Sequence, residues 1–341
     1  MKFAMSYFFD ENDHKITLAK QMGVMNVVTG TPVRGGDERP WEFASLFRKV
    51  KRFEDEGLKV SVIEGPSPLD KVKLDLPGKD EEIEIFIELL ENMSRLGIET
   101  VCYNWMPVIG WFRTNMSLDT RGGAKGTGFD YEQIRNAPMT YAGEVSSQNL
   151  WTNLEYFLNA VVPAAEKHGI QLAIHPDDPP VPTLRGISRI LINAEAFQRV
   201  IDLVPSRYNG ITLCGGSFAA MGENVPKTIY RFKDRIFFSH FRDIRGTANN
   251  FVEAFHDDGM TDMAECMKAY YDIGYKGCMR PDHVPALSGE ENSNPGYSVL
   301  GNLFAIGYMK GLKEAVEKYS GNEQKNTEHA DQPKKNWTLD I

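Results

Sequence analysis

Four residues of types that bind divalent metals recur in the second half of the chain, each just past a short apolar run. They are His175 after Gln171-Leu-Ala-Ile, Cys214 after Gly210-Ile-Thr-Leu, His240 after Ile236-Phe-Phe-Ser and Asp282 after Cys278-Met-Arg-Pro. Their separations are 39, 26 and 42 residues, which suits one strand, one helix and the loops between them. In a barrel of parallel strands, successive strand ends lie side by side at the C-terminal mouth, where such barrels carry their chemistry. Two imidazoles, a thiolate and a carboxylate brought together there form a shell suited to a divalent ion. Each residue alone has an ordinary reading: a histidine on a loop, a cysteine serving as a small buried apolar group, an acid on a rim. Four equivalent positions in a row favour the metal site.

Positioning these groups requires strands and helices in alternation, and the sequence supplies them. Strand-like runs fall at 4–8, 24–28, 59–64, 100–103, 171–174, 210–213, 236–239 and 277–279. Segments with helical period or capping follow each, at 17–22, 42–56, 80–96, 147–168, 194–203, 225–232, 262–273 and 299–318. Eight strand–helix pairs in order predict a parallel sheet closed as a (β/α)8 TIM barrel over residues 1–318. A doubly wound open sheet is the runner-up, but no Gly-rich fingerprint follows the first strand. Residues 104–146 form a polar, Gly-rich insertion after the fourth strand, expected to overhang the mouth as a lid or binding loop. Residues 319–341 read as a polar C-terminal tail.

Composition narrows the function. The chain of 341 residues carries a net charge of −9 with a pI near 5.4, and no Lys/Arg-rich run tracks a phosphate backbone, so nucleic acid is not expected as a partner. No stretch approaches the length and apolarity of a membrane span. The N-terminal Met1-Lys-Phe-Ala-Met-Ser-Tyr-Phe-Phe-Asp lacks the apolar core of a secretory signal. Four widely spaced cysteines suit reduced thiols in a cytoplasmic protein.

Arg113, Arg121, Arg242 and Arg280 are candidates to hold a substrate carboxylate with paired N–H donors. Arg242 and Arg280 are favoured because they adjoin the proposed ligands. Gly122-Gly-Ala-Lys-Gly126 is not read as a phosphate loop, since it lacks the Gly-Lys-Ser/Thr ending and does not join a strand to a helix. His168 suits a helix C-terminus. Cys102 and Cys278 lie inside strands and read as core.

Several motifs together resemble the mannonate dehydratase family of xylose-isomerase-like barrels. They are Cys102-Tyr-Asn-Trp-Met-Pro107, Trp111-Phe-Arg-Thr114, His175-Pro-Asp-Asp-Pro-Pro180, Leu213-Cys214 with Gly216-Ser217, His240-Phe-Arg242 and Arg280-Pro-Asp-His283. The resemblance runs from near the N-terminus to about Leu312. It implies dehydration of D-mannonate to 2-keto-3-deoxy-D-gluconate with Mn²⁺, Fe²⁺ being the alternative. It carries over His175, Cys214, His240 and Asp282 as ligands, suggests His283 and Tyr297 as the acid/base pair, and suggests a homodimer. One departure concerns Gly259-Met-Thr-Asp-Met263, where members of the family often have an acid in place of Met260. Dehydration of another aldonic acid is therefore the alternative. A metal-dependent sugar isomerase or epimerase on the same barrel is a further one. A non-catalytic protein with a structural metal fits poorly, because such sites use local Cys/His pairs and none is present.

Overall fold

The computed structural model describes residues 1–9, 13–32 and 39–330, with the side chains of 321–330 left aside. Its strands in chain order are β1 (Lys2–Ser6), β2 (Asn26–Thr29), β3 (Lys59–Glu64), β4 (Thr100–Asn104), β5 (Asn115–Asp119), β6 (Lys125–Asp130) and β7 (Gln171–His175). Then come β8 (Thr183–Leu184), β9 (Ile187–Ser188), β10 (Asn209–Cys214), β11 (Ile236–Phe241), β12 (Ile244–Thr247), β13 (Asn250–Glu253) and β14 (Cys278–Pro281). Eight of them close a barrel in the order β1-β14-β11-β10-β7-β4-β3-β2, and every pairing around it is parallel.

Four of the helices that return the chain between strands begin at a side-chain cap. Ser146, Asn193, Asn224 and Asp262 each accept, through a side-chain oxygen, the backbone N–H three residues on. This satisfies one of the otherwise orphaned donors of the first turn. The helices they open are Ser147–His168, Ala194–Leu203, Val225–Phe232 and Met263–Asp272. Gly169, at φ 69°, ends the first of these in the left-handed conformation that glycine adopts without strain.

Two cores result. A large one lies between the strands and the helical layer. A smaller one fills the barrel with Ala4, Val28, Val62, Cys102, Ala173, Phe238 and Cys278. Each barrel strand except β10 contributes to it, β11 through Phe237 as well as Phe238; in β10 Thr212 occupies the equivalent place and bonds to Cys102 Sγ at 3.2 Å. Strand side chains alternate, so the residues two further along each strand face the barrel axis again, nearer the mouth.

The insertion differs from a structureless loop. It contains β5 and β6, which join β12 and β13 in an antiparallel sheet ordered β12-β13-β6-β5. Two glycines hide β6 from propensity arguments, since glycine weakens a strand. They are also what admits the neighbours: a Cβ on Gly128 would collide with Leu118 and come within 3.0 Å of the Phe251 carbonyl. Reciprocal backbone bonds of 2.9 and 2.8 Å between Lys125 and Ala286 tie the sheet to the loop after β14. The last helix, Val299–Ala330, continues beyond Lys318, there being no proline before Pro333 to break it. Of the expected tail, 331–341 lie outside the described residues. Among the described residues, no helix is long and apolar enough to cross a membrane.

Candidate active site

The alternation set by the small core brings the site together. Two residues beyond Val62, Cys102, Ala173, Thr212, Phe238 and Cys278 stand Glu64, Asn104, His175, Cys214, His240 and Arg280, with Asp282 two further still. The ligand atoms of His175, Cys214 and His240 lie within 4.8 Å of one another. His175 Nε2 is 3.1 Å from His240 Nδ1, which is 3.5 Å from Asp282 Oδ2. Asp282 Oδ2 is in turn 3.7 Å from Cys214 Sγ. All four residues expected as ligands therefore converge. A cavity of about 120 Å³ opens beside them, and His283, Tyr297 and Trp111 also line it.

The electrostatics follow from enclosed charges of both signs. Burial alone would raise the Cys214 thiol. The Arg242 guanidinium, with hydrogen bonds from His175 and His240, overcomes burial and holds the thiol well below its ordinary range. Burial and Arg280 push the His240 imidazole down, but Glu64 and Asp282 raise it well above the ordinary value. His240 Nε2 sits 3.2 Å from Glu64 Oε1, at ion-pair distance but off line for a hydrogen bond. Burial would raise Glu64, yet Arg280 and His240 bring it down to about 2. Asp282 is likewise held far below the usual carboxylate range, against its burial, by His283, His240 and the two arginines.

The arginines expected to bind substrate are placed as follows. Arg280 lines the cavity but binds Glu64 through Nε and Nη2 at 3.0 and 2.8 Å, and Asp282 through Nη1 at 2.8 Å. Arg113 is fully enclosed and meets Asp178 at 2.5 Å and Glu253 at 2.5 Å. Arg242 meets Asp178 at 2.6 Å, Glu253 at 2.7 Å and Asp282 at 2.6 Å. Neither Arg113 nor Arg242 is among the lining residues, and both direct their donors at buried carboxylates. Arg121 pairs with Asp257 on the surface. The remaining expected pair stands together: the Tyr297 hydroxyl is 3.4 Å from His283 Nε2, and both groups face the cavity.

Sequence reasoning passed over Glu64, Asp178 and Glu253. Glu64 ends β3 at a position equivalent to those of the ligands, so the strand-end argument extends to it. Glu253 ends a four-residue strand of the inserted sheet and carries no such signal.

The donor set fits a divalent metal. Donor atoms bound at about 2.0–2.3 Å to one ion are held roughly 3–4 Å apart; here the donor atoms of His175, Cys214 and His240 all lie within 4.8 Å of one another, and an Asp282 oxygen is 3.5 Å from His240 Nδ1 and 3.7 Å from Cys214 Sγ. The charges agree. With His240 neutral, as ligation requires, the four carboxylates of Glu64, Asp178, Glu253 and Asp282 face three guanidiniums, and the Cys214 thiolate adds a second negative charge. A divalent cation cancels both, and an unneutralised buried charge is costly.

Comparison with known proteins gives a consistent result. The D-mannonate dehydratase (UxuA) family model matches residues 1–142 and 132–323. A mannonate dehydratase of Brachyspira hyodysenteriae is 37% identical over 352 residues, covering 91% of this chain and 98% of that protein. The crystal structure of mannonate dehydratase from Streptococcus suis serotype 2 superposes with a TM-score of 0.86 at 30% identity, covering 94% of this chain and 95% of the other. A xylose isomerase domain protein from Planctomyces limnophilus superposes with a TM-score of 0.60 at 11% identity, covering 93% of this chain and 98% of the other. At that identity the likeness speaks for the barrel fold alone.

Proposed function

The chain belongs to the mannonate dehydratase family, and from that premise we propose that it removes water from D-mannonate to give 2-keto-3-deoxy-D-gluconate. The observation that carries this reading is the convergence of four metal-donor atoms from four strand ends beside a cavity that also receives His283 and Tyr297. His175, Cys214, His240 and Asp282 would hold the ion. Mn²⁺ is the expected metal and Fe²⁺ the alternative. When bound, the ion supplies a positive charge that stabilises the negative charge developing on the substrate.

The chain's own groups handle the protons. Loss of water from a 2,3-dihydroxy acid requires removal of the C2 proton and protonation of the departing C3 hydroxyl, hence a base and an acid in reach of adjacent carbons. His283 Nε2 and the Tyr297 hydroxyl are a pair of that kind, 3.4 Å apart. Burial raises the Tyr297 phenol well above its ordinary value, which keeps it protonated at neutral pH. Phe8 and Phe9 pack edge-on against the Tyr297 ring, with centroids at 5.6 and 5.4 Å, and fix its approach. Trp111 stacks obliquely on His283 at 4.9 Å and helps to shield the pair from water. The same reading expects a homodimeric, cytoplasmic enzyme.

The test is direct. Mn²⁺-loaded protein incubated with D-mannonate should release a product one water lighter, detected by mass and as a 2-keto-3-deoxy acid by periodate–thiobarbiturate colour. Turnover of a different hexonate or pentonate alone would keep the reaction and replace the substrate. A product of unchanged mass would make the protein an isomerase or epimerase.

A further inference from the structure

Glu253 belongs to the inserted sheet, yet its carboxylate reaches the proton-handling pair. It is 1% exposed. Its Oε1 accepts from Arg113 Nη2 at 2.5 Å and Arg242 Nη1 at 2.7 Å, and lies 3.0 Å from His283 Nδ1. A second bond of 2.7 Å runs from Arg242 Nη1 to Oε2. A carboxylate bracketed by two guanidiniums stays ionised and can only accept hydrogen bonds. The hydrogen between Glu253 and His283 therefore resides on Nδ1. This holds whether the ring is neutral or cationic, so Nε2 alone is left to exchange a proton. Nε2 faces Tyr297 and the cavity.

We propose that Glu253 is a positioning residue for the dehydration, fixing the orientation and tautomer of His283 so that Nε2 is the nitrogen presented to substrate. This rests on the reading of His283 as one of the two proton-transfer groups. The surroundings support it. Trp111 covers the His283 ring, and Gly296 passes so close that a Cβ there would stand 3.1 Å from His283 Cδ2. The imidazole is thus held on a face, at an edge and at Nδ1. Partners that orient a functional imidazole are commonly worth about 10- to 100-fold in activity. The sheet thus carries the group that tells His283 which nitrogen to offer.

A purely structural Glu253 would only balance Arg113 and Arg242, and a double-mutant cycle separates the two roles. Full-length Mn²⁺-loaded protein is compared as wild type, Glu253→Gln, His283→Asn and the double variant. We expect Glu253→Gln to lower kcat about 10- to 100-fold with KM and metal content nearly unchanged. In the His283→Asn background, it should cost no more than about twofold. An equal factor in both backgrounds overturns the proposal. Wild-type turnover by His283→Asn removes the reading beneath it, a different outcome on a different variant. If Glu253→Gln does not fold, ¹⁵N spectra of histidine-labelled, Mg²⁺-loaded wild type, assigned by subtraction of His283→Asn, decide the matter. A protonated His283 Nδ1 is expected, and a ring protonated only at Nε2 overturns the proposal.

Discussion

At the barrel rim, His175, Cys214, His240 and Asp282 lie at or just past the ends of strands β7, β10, β11 and β14, which are neighbours around the barrel and follow one another among its strands. Above the rim, Arg113 and Glu253 meet across 140 residues through a sheet none of whose strands belongs to the barrel. The rim is positioned by backbone pairing. The sheet is positioned by close contact between remote segments and by buried ion pairs. The difference separates two tasks: the rim has the donors to hold an ion, and the sheet bears on the groups that move protons. Changes to the sheet should therefore lower turnover and leave the bound metal in place.

The largest effect should come from the rim. Cys214→Ser or His240→Ala should lose most of the bound divalent ion, measured by elemental analysis, and with it more than about 10³-fold in turnover. Full metal content in both variants would mean that the ligands lie elsewhere. Next come the groups between rim and sheet. His283→Asn should keep its metal and lose roughly 10²- to 10⁴-fold in kcat, as should Tyr297→Phe. Loss of metal from His283→Asn would make His283 a ligand and return Asp282 to question.

A smaller effect concerns the join between the two regions. His256, three residues after Glu253, is 1% exposed, and its ring stacks on Phe241 of β11 at 6.3 Å. Burial lowers its imidazole to about 4, with the Phe241 backbone only partly offsetting this. Between about pH 6.5 and 4 the unfolded chain then binds a proton that the folded chain refuses. The stability contribution is complete above the unfolded value and is lost as pH falls through the folded one. His256→Gln should flatten the fall in stability between pH 7 and pH 5 by about 2 kcal/mol in urea melts. Parallel curves for variant and wild type would count against it. The smallest effect lies in the sheet's own packing. Phe129 is buried against Phe112 and Phe251. Phe129→Leu should cost about 1 kcal/mol, lower kcat slightly and leave metal content unchanged. A loss of metal would show that rim and sheet are not separable.

The same contrast governs how much the sequence disclosed. The barrel was legible because local patterning dictates it: apolar runs of strand length, Asn, Asp and Ser caps at helix starts, and ligand-type residues one step past each run. Glu64 follows the same logic, since it ends β3 as His175 ends β7. The sheet was illegible for a physical reason. Lys125-Gly-Thr-Gly-Phe-Asp looks like a loop until Leu118 and Phe251 are brought against it. Nothing local to Asn250–Glu253 announces that its last carboxylate will face His283. The arginines show the reverse limit: residue type pointed to a substrate carboxylate, whereas Arg113 and Arg242 are directed at carboxylates of the protein itself.

The 140-residue span between Arg113 and Glu253 also orders events during synthesis and refolding. A chain leaving the ribosome exposes β5 and β6 long before β12 and β13 exist to pair with them, and long-range strand pairing is intrinsically slow. The helices, by contrast, close local contacts early. The barrel should therefore acquire its helical ellipticity before the proton-transfer groups are in register. Stopped-flow refolding followed by far-ultraviolet circular dichroism and by regain of activity would show that interval, and coincident traces would show that the sheet condenses together with the barrel.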